Sequence, residues 1–218
     1  MHYTAAWQQL HWSDATYVLM ASVRTLQLSF TAVLLGTLLG IPLGLARALS
    51  PVMRVLTAPL VDVVRSVPMI IQLIIFDTCL SISGWPLSAF QLGTLALGAW
   101  MAMVTAEIVR GAYEAVTPSL RRAARSLGMS SWQELRVVSL PLTLRGGFPA
   151  WVGAALCLVK DSALVGIFGY IELTKAGQIL NARTHRTFLV LGGIGATYFF
   201  ICHVITFCTR RIERRMAE

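Results

Sequence analysis

Apolar residues run through this chain in five long blocks, and the polar residues collect between them. The blocks cover about Tyr17–Leu49, Leu60–Ser83, Leu87–Val109, Gly147–Gly169 and Phe188–Thr209. Each reaches the roughly 20 residues that a helix needs to cross a bilayer, and the first exceeds it. The pattern predicts an all-α integral membrane protein with five transmembrane helices. Gly36, Gly40 and Gly44 repeat every four residues in the first block, a spacing that lets a second helix approach closely, and Pro42 marks a candidate kink. Val67 before Pro68 is biased out of the helical region, so the second block is expected to break there. Gly84-Trp85-Pro86 reads as a turn before the third block.

Three polar stretches separate or flank the blocks. Residues 1–16, with Tyr3, Trp7, Trp12, His2 and His11, suit an interfacial segment ahead of a transmembrane region at 17–218. Residues 170–187 form a polar connection carrying Glu172, Lys175, Arg183 and Arg186. The longest insertion is Thr117–Pro141. Thr117 caps a first short helix with Pro118 at its first position, and Leu120, Ala123, Ala124 and Leu127 make one apolar stripe. Gly128 stands where a left-handed stop is wanted. Ser131 with Glu134 reads as the capping box of a second helix that Pro141 closes. Such a cationic, half-apolar hairpin either docks on another protein or lies on lipid headgroups.

Charge fixes the sidedness. Thirteen arginines fall beside the hairpin, the link after the first block and the C-terminus, against three cations in 170–187. The bias places the N-terminus outside and the hairpin and C-terminus in the cytoplasm. The net charge of +8 is explained by this grouping, and no aromatic-interleaved basic groove for nucleic acid appears. Only 13% of the 218 residues are charged, and the mean hydropathy is +0.69. No lysine or arginine precedes Arg24, so the first block is expected to be a retained span rather than a cleaved signal.

The chemistry the sequence lacks narrows the function. No GxxxxGK[ST], HExxH or GxSxG occurs, and the four cysteines show neither metal-ligand nor disulfide-framework spacing. The chain is therefore expected to be no enzyme. Asp77, Glu107, Lys160 and Asp161 are ionisable groups within spans, which makes them candidates for a pathway or gate. For Asp77, an interfacial position at a helix end competes with that role. Glu107 and Arg110 stand three apart and can pair on one face. A self-sufficient ion-coupled carrier or channel is a further reading, although no duplicated halves are visible.

Four motifs carry a resemblance that spans about residues 20–210. Ala123-Ala124, Gly128 and Val138-Ser139-Leu140-Pro141 fit a loop pattern of Glu-Ala-Ala, three residues, Gly, about nine residues, then Ile-x-Leu-Pro. Arg65-Ser66-Val67-Pro68 with Ile71-Gln72-Leu73, Ala106-Glu107-Ile108-Val109-Arg110-Gly111, and Lys160-Asp161-Ser162-Ala163-Leu164 with Glu172-Leu173-Thr174 follow in order around it. With them the chain resembles the permease subunits of ATP-binding-cassette (ABC) importers, polar amino-acid class. It departs at Arg122, where the loop pattern has Glu.

The resemblance implies a bacterial inner-membrane protein that translocates a polar amino acid by alternating access. Its implied partners are a cytoplasmic ABC ATPase dimer, a second permease of the same or a related chain, and an extracytoplasmic substrate-binding protein. ATP and Mg would sit on the ATPase, with no cofactor on this chain. Thr117–Pro141 becomes the coupling loop, with Leu120, Arg122, Ala123, Ala124, Leu127, Gly128, Trp132, Leu135 and Arg136 as contact residues. Were Asp77 to line the cavity, a basic amino acid would be favoured.

Overall fold

The computed structural model describes residues 10–217. His2, Tyr3 and Trp7, expected in an interfacial segment, lie outside those residues. Every regular element among the described residues is helical: α1 (Trp12–Leu49), α2 (Pro51–Ser66), α3 (Met69–Ile82), α4 (Ala89–Ala115), α5 (Pro118–Ser126), α6 (Ser131–Glu134), α7 (Leu140–Asp161), α8 (Leu173–Thr184) and α9 (Thr187–Ala217). Four stretches are long and apolar enough to cross a membrane, Trp12–Leu49, Ala89–Ala115, Ser131–Phe168 and Thr187–Arg215, and the bent pair α2–α3 adds a fifth if it counts as one span.

The first expectation to change concerns residues 10–16. They form no separate interfacial segment from Trp12 onward, because α1 already starts there. Asp14 accepts the His11 backbone N–H at 2.8 Å and satisfies a donor at the helix start. α1 then passes through Pro42 unbroken.

α1 and α4 form the centre of the bundle. A Cβ on Gly36 would lie 2.8 Å from the Gly98 carbonyl oxygen, one on Gly40 2.7 Å from that of Ala102, and one on Gly44 2.5 Å from that of Ala106. The glycines therefore do what their spacing predicts and bring two backbones together. Partner numbers rise along both helices, so α1 and α4 run parallel. Chain leaving α1 at one end must climb back to the other end before α4 begins. The pair α2–α3 makes that return, bent by 110° at Val67-Pro68. The expected break is there, but it is a sharp corner, not a kink in a straight second span.

α7 packs antiparallel to α4, with Gly147 beside Ile108 at one end and Val165 beside Gly93 at the other. Leu28, Ala32, Leu73, Leu92, Leu97, Met101, Leu158 and Val165 close the core between them. α7 starts earlier than the apolar block suggests and tightens after Asp161 into a 3₁₀ turn, Ser162–Phe168, that ends at left-handed Gly169. The polar connection 170–187 is itself mostly helix α8. α9 leans on α7 and α8 and leaves Phe199, Phe200 and Phe207 exposed.

Candidate functional site

The insertion after α4 folds as a hairpin at the end of the bundle where α1 and α4 finish. Pro118 opens α5 after Thr117, whose side chain makes no capping bond. Gly128 takes φ +87° and turns the chain, a conformation most side chains resist. The second arm differs from expectation in two ways. Its capping box is Ser130 with Gln133, one residue before the expected Ser131 and Glu134. Pro141 does not close it, for α6 continues through a π turn, Leu135–Ser139, into α7. In that turn the Leu140 N–H reaches back to the Leu135 carbonyl. The wider turn delivers Pro141 to the first turn of α7, where a missing N–H is tolerated.

Glu134 is free of capping duty because it is buried elsewhere. Its carboxylate is 1% exposed, accepts the Ser139 hydroxyl, and lies 3.7 Å from Arg125 on α5. One side chain thus ties both arms to the π turn. Of the candidate coupling residues, Leu120, Arg122, Ala123, Leu127, Gly128, Trp132 and Arg136 are exposed, with Leu127 at 82% and Trp132 at 67%. Ala124 and Leu135 are buried within the hairpin and are not free for an outside contact. The apolar stripe on α5 is therefore split, Ala124 inward and its neighbours outward.

Directly above the hairpin a charge ladder crosses three helices. Glu107 accepts from Arg47 at 3.2 Å and from Arg110, whose other nitrogen meets Glu114 at 2.6 Å. Glu114 also pairs with Arg54 at 3.2 Å, and Arg47 donates to the Thr57 hydroxyl. α1, α2 and α4 are joined by it. The expected Glu107–Arg110 pair is present, and Glu107 is the hub that joins it to Arg47 on α1.

Lys160 and Asp161 sit at the opposite end of α7, where its geometry tightens. Lys160 is exposed and Asp161 half-buried. Asp77 is half-buried on α3. Glu107 thus stands apart from Lys160 and Asp161 along the bundle. Beyond Gly169, buried Glu172 caps α8 by accepting the N–H groups of Thr174 at 2.7 Å and Lys175 at 2.6 Å, and the Tyr198 hydroxyl at 2.9 Å. Burial pushes its carboxyl above the usual range, while these donors pull the other way. At the other end of α8, Arg183 pairs with Asp14 and bridges that helix to α1. Sequence reasoning missed Arg47, Glu134 and Glu172 as anchors. Only Glu172 carried a local signal, standing just before a helical run.

A family model described as the binding-protein-dependent transport system inner membrane component matches residues 32–218. The chain belongs to that family. These are permease subunits of ABC importers, in which a separate ATPase hydrolyses ATP, so a self-sufficient carrier is set aside. Membership implies an ATPase, a second permease and a substrate-binding protein as partners in general. The glutamine transport system permease protein GlnP of Escherichia coli (strain K12) is 27% identical over 208 residues, covering 94% of this chain and 95% of its own length. The nopaline transport system permease protein NocM of Agrobacterium fabrum is 28% identical over 202 residues, covering 87% and 83%. A crystal structure of an amino acid ABC transporter with histidines superposes with TM-score 0.85 at 30% identity, covering 92% of this chain and 94% of that one. The inward-facing MetNI methionine ABC transporter shares the fold, with TM-score 0.82 at 23% identity over 95% and 99%.

Proposed function

We propose that this permease spans a bacterial inner membrane five times and imports an amino acid by alternating access. The parallel run of α1 and α4 supports the count, since it requires α2–α3 to return across the bundle. The arginine bias supports an outside N-terminus and a cytoplasmic hairpin and C-terminus. The amino-acid substrate is carried over from the glutamine and nopaline relatives. A preference for basic amino acids rests on Asp77 alone, and uptake by Asp77→Asn that is unchanged across basic, neutral and acidic amino acids would remove it.

One observation carries the coupling role: a hairpin of fixed shape presents Leu127 and Trp132 to solvent at the end of the bundle. A soluble ATPase dimer gripping two such hairpins, one from each permease of a pair, moves the helix bundles as rigid bodies. ATP and Mg belong to the ATPase, and the solute arrives on a separate binding protein. Lys160, Asp161 and Asp77 line the solute's route or its gate, whereas Glu107 holds helices together.

The test is reconstitution of the permease with its ATPase. Uptake should require both ATPase and nucleotide. Gly128→Pro should insert normally yet lose uptake, since proline cannot adopt φ +87°. Wild-type uptake by that variant, or uptake without nucleotide, would defeat the reading.

A further inference from the structure

The hairpin's charges are arranged unequally. Residues 117–141 hold four arginines and one carboxylate, Glu134. That carboxylate faces inward at 1% exposure. Two of the arginines are engaged within the protein. Arg121 lies 4.6 Å from the Tyr113 ring centre and donates to the Val116 carbonyl, and Arg125 stands against Glu134. Arg122 on α5 and Arg136 in the π turn are exposed, and neither has an ion-pair partner among the described residues. What the hairpin offers outward is an apolar tip, Leu127 and Trp132, with a bare cation on each arm and no acid.

We propose that the ATPase surface receiving this hairpin is an apolar groove rimmed by carboxylates that pair with Arg122 and Arg136. The inference rests on the hairpin being the ATPase's seat, as argued above. An aromatic and arginines around an apolar centre is the composition of protein interfaces. A guanidinium fork matches a carboxylate in a bidentate geometry, which fixes register as well as attraction. The shape is set in advance by Gly128, the Ser130–Gln133 box and buried Glu134, which suits a pocket. A layer of anionic headgroups needs no such shape.

The experiment uses the permease co-expressed with its ATPase and purified together in detergent, at about 50 mM and about 500 mM salt. Arg122→Glu with Arg136→Glu should cut co-purified ATPase by about tenfold, and wild-type assembly should weaken with salt. The neutral pair Arg122→Gln with Arg136→Gln should lose most of that salt dependence, and it covers the case in which the reversal disturbs folding. A lysine at one acidic position of the ATPase groove should restore assembly to the charge-reversed permease. Wild-type assembly by both arginine pairs at both salts would overturn the proposal. So would a loss confined to binding of vesicles containing anionic lipid, which would assign the arginines to headgroups. The underlying reading is tested separately by Leu127→Ala with Trp132→Ala. If that pair loses the ATPase while the arginine variants keep it, the seat stands and only its acidic rim falls. If that pair also assembles normally, the hairpin is not the seat.

Discussion

At the scale of single residues, the polar side chains this protein buries act as fasteners. Arg47 is 5% exposed, and its guanidinium is held by Glu107 and Thr57. Removing one member of a buried pair leaves the other charge without compensation, which costs more than the pair itself contributes. Glu107→Gln should therefore destabilise the permease by about 3 kcal/mol, read as a lowered thermal midpoint in detergent. Glu114→Gln, at the exposed end of the same ladder, should change it by less than about 1 kcal/mol. The Glu107–Arg110 half of this cluster was legible because i,i+3 neighbours meet on any helix. The Arg47 half was not, since its partner lies on another helix and sequence spacing carries no information about that. Glu134 teaches the same lesson locally. Ser130-Ser131-Trp132-Gln133-Glu134 contains two overlapping capping boxes, and burial of Glu134 against Ser139 decides for the first. Glu134→Ala should loosen the hairpin and raise amide exchange across residues 118–139, with little change in α4.

At the scale of elements, close approach dominates. The backbone of α1 meets that of α4 wherever a glycine stands, and the atoms opposite are carbonyl oxygens that cannot swing aside. Gly40→Ala places a Cβ 2.7 Å from the Ala102 oxygen and 2.6 Å from the Thr105 Cβ. The two helices must separate, so a loss of about 2 kcal/mol is expected, visible as a lower thermal midpoint. Gly192→Ala has open space around it and serves as the control. The four-residue repeat made this contact readable in advance, although not which helix would answer it or in which direction. The π turn was not readable. Its neighbour Pro141 looked like a stop because a proline in a helix normally costs about 3 kcal/mol, and nothing in the sequence announced the wider turn that accommodates it.

At the scale of the whole molecule, the apolar blocks and the arginine distribution conveyed most of the architecture, since a bilayer imposes length and charge rules that a sequence displays. The corner at Val67-Pro68 was signalled in place but not in size. Whether the bent pair truly crosses decides between four and five spans. With the four native cysteines replaced, Trp85→Cys should react with a membrane-impermeant maleimide added outside intact cells, while Leu49→Cys, on the other side of α2–α3, should react only after permeabilisation. Labelling of both from one side would mean that α2–α3 turns back without crossing. The exposed aromatic rows on α9 belong to this scale too, for a surface of Phe199, Phe200 and Phe207 is stable only when lipid or another subunit covers it.

The π turn at Leu135–Ser139 is an ordinary helix carrying one surplus residue. Deleting Val137 would erase the surplus. Because the wider turn absorbs that residue locally, the chain on its N-terminal side would keep nearly its present bearing. The same loss from regular helix further along α7 would swing the knuckle formed by Leu127 and Trp132 by about 100° and draw it in by about 1.5 Å. The π turn thus acts as a buffer in the residue count, one place where a codon can come or go while the cytoplasmic contact keeps its heading.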